Sequence, residues 1–139
     1  MIAFGLDGCL AATAREDWAG GPAYLRQVAA GFTALSAWEA AEQLSAARYS
    51  TSLLSSAPPT AFSALIATAR SWPFVTHRFG ATPEQKAVWL AKRAASVHYS
   101  SDEEFTYVAA ADDVDVPEGW KFVRYDGQSA AELYAQVLS

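Results

Sequence analysis

Five short apolar stretches, each closed by glycine, proline, serine or aspartate, alternate along this chain with segments of helical spacing, and that alternation limits the fold more than any other feature. The stretches begin at Ile2 and then cover residues 49–54, 74–79, 105–111 and 121–125. Between them, residues 22–30 open on Pro22, as a helix tolerates at its first position. Residues 36–47 are rich in alanine, with Ser36 as the expected N-cap and Glu39 at capping-box spacing. Residues 60–72 put Phe62, Leu65, Ile66 and Ala69 on one side. Thr82-Pro83-Glu84-Gln85 starts a helix expected to reach about Ser96, and Ser129 with Glu132 opens the last one. Residues 10–21 read as irregular. Strands separated by helices predict an α/β fold with a doubly wound, mostly parallel sheet.

At 139 residues the chain suits one domain spanning 1–139, long enough to bury roughly 68% of the surface its unfolded form exposes. With 52% hydrophobic and 18% charged residues it is globular in composition. A net charge of −5 argues against an extended basic footprint for nucleic acid or for an anionic membrane. No apolar run approaches the roughly 18 residues of a membrane span, and the first residues lack the basic start of a signal peptide. Cys9 is the only cysteine, so no internal disulfide forms, and a reducing cytoplasm is the expected compartment. His77 and His98 are too far apart to form a local metal pair, and Trp38, Trp72, Trp89 and Trp120 read as core.

Four places carry possible chemistry. The first run ends in Gly5-Leu6-Asp7-Gly8-Cys9-Leu10, which puts a carboxylate at the carboxyl edge of a sheet, where open α/β folds bind ligands. The second ends in Leu54-Ser55-Ser56-Ala57-Pro58. Lys86 stands in the first turn of the helix begun by Thr82, against the helix dipole, a position that makes sense beside a bound anion. Residues 109–113, Ala-Ala-Ala-Asp-Asp, end a strand in paired acids, whose mutual repulsion a cation relieves. Each has an ordinary reading too: a turn-forming Asp, a serine bonding its own backbone, a surface lysine, a solvated acidic loop.

In order and placement the four resemble the motifs of the haloacid dehalogenase-like superfamily, whose fold is Rossmann-like. The resemblance implies a magnesium-dependent phosphatase with no cap or a minimal one. Asp7 would be the general acid/base and would offer its backbone carbonyl to Mg2+. Ser55 and Lys86 would grip the phosphoryl group, together with Leu6, Asp7 and Ser56, and Asp112 and Asp113 would hold the metal. The chain departs from the family at one position: the nucleophilic aspartate is replaced by Gly5, which has no side chain to attack phosphorus. The same change removes a metal ligand and weakens the expected magnesium site.

Three readings follow. The chain is a pseudo-enzyme that binds a phosphorylated ligand or a partner protein, or an inactivated variant of an active phosphatase, or it uses another nucleophile. For the third, Cys9 and Arg15 have the Cys-x5-Arg spacing of thiol phosphatases, although the intervening alanines suit such a loop poorly. An open site would suit a phosphate carried on a large molecule better than a small metabolite that needs a lid.

Overall fold

Ile2–Phe4 forms β1, and all three side chains are buried. Only a strand with neighbours on both edges and cover on both faces buries every residue in a row. β1 pairs in parallel with β4 (Thr51–Leu54) on one side and β6 (Phe105–Ala109) on the other. Outside these lie β5 (Thr76–Arg78) and β7 (Trp120–Arg124), giving the all-parallel order β5-β4-β1-β6-β7. The computed structural model describes residues 1–13, 21–96, 104–110 and 114–139.

The order fixes where a ligand can sit. From β1 the chain winds outward through β4 to β5, then crosses back to β6 and continues to β7. The direction of winding reverses between β1 and β6, and at such a switch point the loops at the carboxyl ends of the strands part to leave a crevice. Gly5 to Asp7 follow β1 directly at this point.

Alternation along β1 divides the core in two. Ile2 and Phe4 face α1 (Pro22–Ala29), α2 (Ser36–Ala46), α3 (Thr60–Thr68) and α5 (Ala130–Leu138), with Trp38, Leu44, Leu65 and Leu133 in the same cluster. Ala3 faces the opposite way, toward Leu90 of α4 (Pro83–Ser96). Among the described residues α4 is the helix on that face. Trp38 meets Trp72 and Phe74 edge to face, and the Trp120 indole N–H donates to the Leu90 carbonyl at 2.8 Å. Trp89 is half-buried, with the Arg93 guanidinium 4.9 Å from its ring. His77 is exposed and stacks on Phe62 at 4.3 Å; His98 lies outside the described residues.

Several local expectations are corrected. Residues 10–21 are not wholly irregular, because Ala11–Ala12 (β2) pairs antiparallel with Thr33–Ala34 (β3). Ser36 is not an N-cap. Leu35 takes that position without a side-chain bond, and the Ser36 hydroxyl reaches Tyr125 and Gln128 instead. α3 ends at Thr68, and Ile66 is exposed because Ala61 and Leu65 define the face that packs. Two caps form as expected: the Thr82 hydroxyl accepts from Gln85 N–H while the Gln85 side chain accepts from Thr82 N–H, and Ser129 accepts from Glu132 N–H. No helix among the described residues is long and apolar enough to cross a membrane.

Candidate functional site

After β1 the backbone closes one tight turn. The Leu6 carbonyl accepts from the N–H groups of Leu10 and Ala11, and Gly8 N–H returns to the Ala11 carbonyl at 2.9 Å. Gly8 has φ +70°, a left-handed conformation that residues with a Cβ adopt at a cost, and this explains a glycine immediately after the acid. The turn buries Leu6 and Cys9 and leaves Asp7 at the rim, half-buried.

Two hydroxyls meet the Asp7 carboxyl. Tyr24, from α1, donates to Oδ1 at 2.7 Å, and Thr13, just after β2, donates to the same oxygen at 2.9 Å. Burial raises the Asp7 pKa above the usual carboxylate value, and the Tyr24 and Thr13 hydrogen bonds and the nearby Lys86 charge offset it only in part. Asp7 therefore holds its proton to a higher pH than a solvent-exposed carboxyl does.

Ser55 and Lys86 reach the same edge through a stitched pair of loops. Ser55 N–H donates to the Arg78 carbonyl, Ala81 N–H to the Ser55 carbonyl, Gly80 N–H to the Ala57 carbonyl, and the Ser56 hydroxyl to the Ala81 carbonyl. These bonds fix the start of α4 against the end of β4. Lys86, one turn in, is only 8% exposed, and its charge acts on Asp7. Ser55 is buried and its Oγ accepts from Ala57 N–H at 2.9 Å, the local turn bond that serines in such positions commonly make. That bond does not use the hydroxyl's own proton. Asp7, Ser55 and Lys86 therefore share the carboxyl edge of the sheet, whereas Asp112 and Asp113 lie outside the described residues.

Gly5 does not leave an open hole. A Cβ built on it would stand 3.1 Å from the Ala109 Cβ and 3.7 Å from the Tyr107 hydroxyl oxygen, so β6 fills the space where a side chain at position 5 would begin. Cys9 is fully buried, its thiol directed at the Val108 carbonyl at 3.8 Å, and burial pushes its pKa far up. A thiol nucleophile needs exposure and a lowered pKa. The thiol route is corrected on both counts; Arg15 lies outside the described residues.

Among the described residues no group of three or more His, Cys, Asp or Glu side chains could hold a metal. At the Asp7 turn the described oxygens include its backbone carbonyl and a carboxyl whose Oδ1 already accepts two hydrogen bonds, and Gly5 adds no side-chain ligand. This set does not by itself fit magnesium, which prefers six oxygen ligands. A groove of about 480 Å³ at the opposite, amino edge is lined by Met1, Arg48, Tyr49 and Leu138, and contains none of the four sequence motifs.

Sequence reasoning missed Tyr24, Thr13, Tyr107 and Ala109. Thr13 carries a faint signal, a hydroxyl six residues after an acid across a glycine turn. Tyr107 and Ala109 are two residues apart on one strand, so they share the face that meets Gly5. Nothing local marks Tyr24, whose partner is 17 residues away. Compared with protein-family models, with curated proteins and with solved structures, the chain matches none.

Proposed function

We propose that the carboxyl-edge site is an oxyanion pocket, a phosphatase site of the haloacid dehalogenase-like kind that keeps its binding groups and lacks its nucleophile. It would hold a phosphorylated ligand without turning it over. The observation that carries this reading is the convergence of Asp7, Ser55 and Lys86, from three separate segments, beside the switch point of a parallel sheet. A buried ammonium at the first turn of α4 adds to the positive potential of the helix start, and the Ser55 hydroxyl can donate to the same anion. A proton shared between the Asp7 carboxyl and the bound oxyanion would relieve the repulsion between them. Gly5 supplies no nucleophile, so no aspartyl-phosphate forms. The reading takes no step through a metal.

By analogy with open sites of this fold class, the ligand is a phosphate carried on a macromolecule, and the compartment is the cytoplasm, where a lone Cys9 stays reduced. The test is a titration of the 15N-labelled protein with inorganic phosphate. Saturable amide shifts at residues 6–7, 55–57 and 81–86, abolished in Lys86→Met, are expected. Phosphate that shifts none of these amides, or shifts them equally in Lys86→Met, overturns the reading.

A further inference from the structure

The most specific polar contact in the region involves a residue that neither the motifs nor the phosphatase reading uses. Tyr24 is 0% exposed, although it lies on a short helix in the excursion between β1 and α2. Its ring packs in the main core with Leu6, Leu10 and Val28, while its hydroxyl emerges at the Asp7 carboxyl. A tyrosine so held has lost its rotamer freedom to packing, which is what lets a hydroxyl act as a fixed point for a neighbouring side chain.

We infer that Tyr24 is a positioning residue: with Thr13 it clamps the Asp7 carboxyl by Oδ1, so that the second oxygen is the one turned toward the ligand. The inference rests on the oxyanion-pocket reading for the identity of that ligand. Both hydroxyls donate to one oxygen, at 2.7 and 2.9 Å, so that oxygen has accepted two hydrogen bonds. With Oδ1 occupied, Oδ2 is the oxygen left to face the pocket and to share a proton with a phosphate oxygen. Burial, then the Asp7 charge and the hydrogen bond itself, raise the Tyr24 pKa, so the phenol remains a donor at any working pH. The two donors come from different segments, Thr13 after β2 and Tyr24 in α1. The excursion after β1 thus determines how the acid is presented, and its folding is coupled to the site.

The test separates this clamp from the pocket. In the full chain, the Asp7 Hα–Hβ couplings report its χ1 rotamer, and inorganic phosphate is titrated in parallel. The unaltered protein is expected to show one rotamer. Tyr24→Phe, which removes one atom and keeps the packing, and Thr13→Val should each give averaged couplings and weaken phosphate about threefold to tenfold, the effect of losing about one hydrogen bond. Thr13→Ser, which keeps the hydroxyl, should restore both readouts. Unchanged Asp7 couplings in Tyr24→Phe with an otherwise native amide spectrum overturn the clamp, whatever phosphate does. If the unaltered protein binds no phosphate the pocket reading fails, and the couplings still decide the role of Tyr24.

Discussion

A Cβ on Gly5 would approach the Ala109 Cβ to 3.1 Å, closer than nine in ten such contacts in proteins, so the two residues fit one another as glycine and alanine. Overpacking a core position costs about 1–3 kcal/mol. Gly5→Asp alone is therefore expected to lower the urea midpoint, and Gly5→Asp with Ala109→Gly to recover part of the loss, with a coupling of about 0.5–3 kcal/mol in a double-mutant cycle. If the fold retains a silenced phosphatase, turnover of an aryl phosphate in magnesium buffer should appear in the double variant and vanish on adding Asp7→Asn. Additive stability effects would show that Ala109 does not close the seat.

Asp7 should make stability depend on pH in a definite direction. Its pKa is raised in the folded state, so between the unfolded value near 3.8 and the raised one the native protein binds more protons than the unfolded chain. Stability then falls as pH rises through that window, by about 1.4 kcal/mol per unit of displacement. Asp7→Asn keeps an oxygen for Tyr24 and Thr13 but carries no charge. In chelator-treated protein, the variant should melt higher than the parent at neutral pH, and the gap should close below the unfolded value. Thermal melts of both proteins at several pH values provide the check, and a gap that widens on acidification contradicts the assignment.

Cys9 should be chemically silent in the native state. With no exposure and a strongly raised pKa, the thiol reacts only through opening of the fold. Labelling by an aromatic disulfide reagent is expected to follow unfolding and to be fast only in denaturant. Cys9→Ala should leave phosphate binding unchanged and cost about 1 kcal/mol for a small cavity. Rapid labelling of the native protein would reopen the thiol route.

What could be read from the sequence depended on the range of the interaction. The Thr82 and Ser129 caps need a partner three residues away, and both were legible with their bonds. The strand-helix alternation pointed to the parallel sheet for a similar reason, since crossovers between parallel strands are usually helical, as they are before β4, β5 and β6. Asp7, Ser55 and Lys86 were found as strand-end or helix-start residues, but their meeting depends on loop-to-loop bonds such as Ala81 N–H to the Ser55 carbonyl. Tyr24 and Ala109 act across the fold, so no window of the sequence contains their role. The missing side chain of Gly5 was legible, but the filling of its space by Ala109 of the neighbouring strand was not. The two-residue ribbon of Ala11 and Ala12 has no strand-forming residues to announce it.

Ser36 allows a direct comparison of the two kinds of bond. It donates to the Gln128 carbonyl at 2.7 Å, so in its 2.6 Å bond with Tyr125 the phenol must be the donor. These partners lie 92 and 89 residues away and tie the start of α2 to the approach to α5. Ser36→Ala leaves the buried Tyr125 hydroxyl and a carbonyl without their partner, at a cost of about 1–3 kcal/mol. Ser129→Ala removes a local cap, at about 1 kcal/mol. Exposed Glu39, which a capping box would have engaged, should tolerate alanine within about 0.5 kcal/mol. In urea titrations, Ser36→Ala should couple to Tyr125→Phe, because the phenol's bond is lost once in either variant, whereas Ser129→Ala should be additive with it. A Ser36 that proved additive with Tyr125→Phe and coupled to Glu39→Ala would be acting as a helix cap, and the α2 to α5 tie would have to be abandoned.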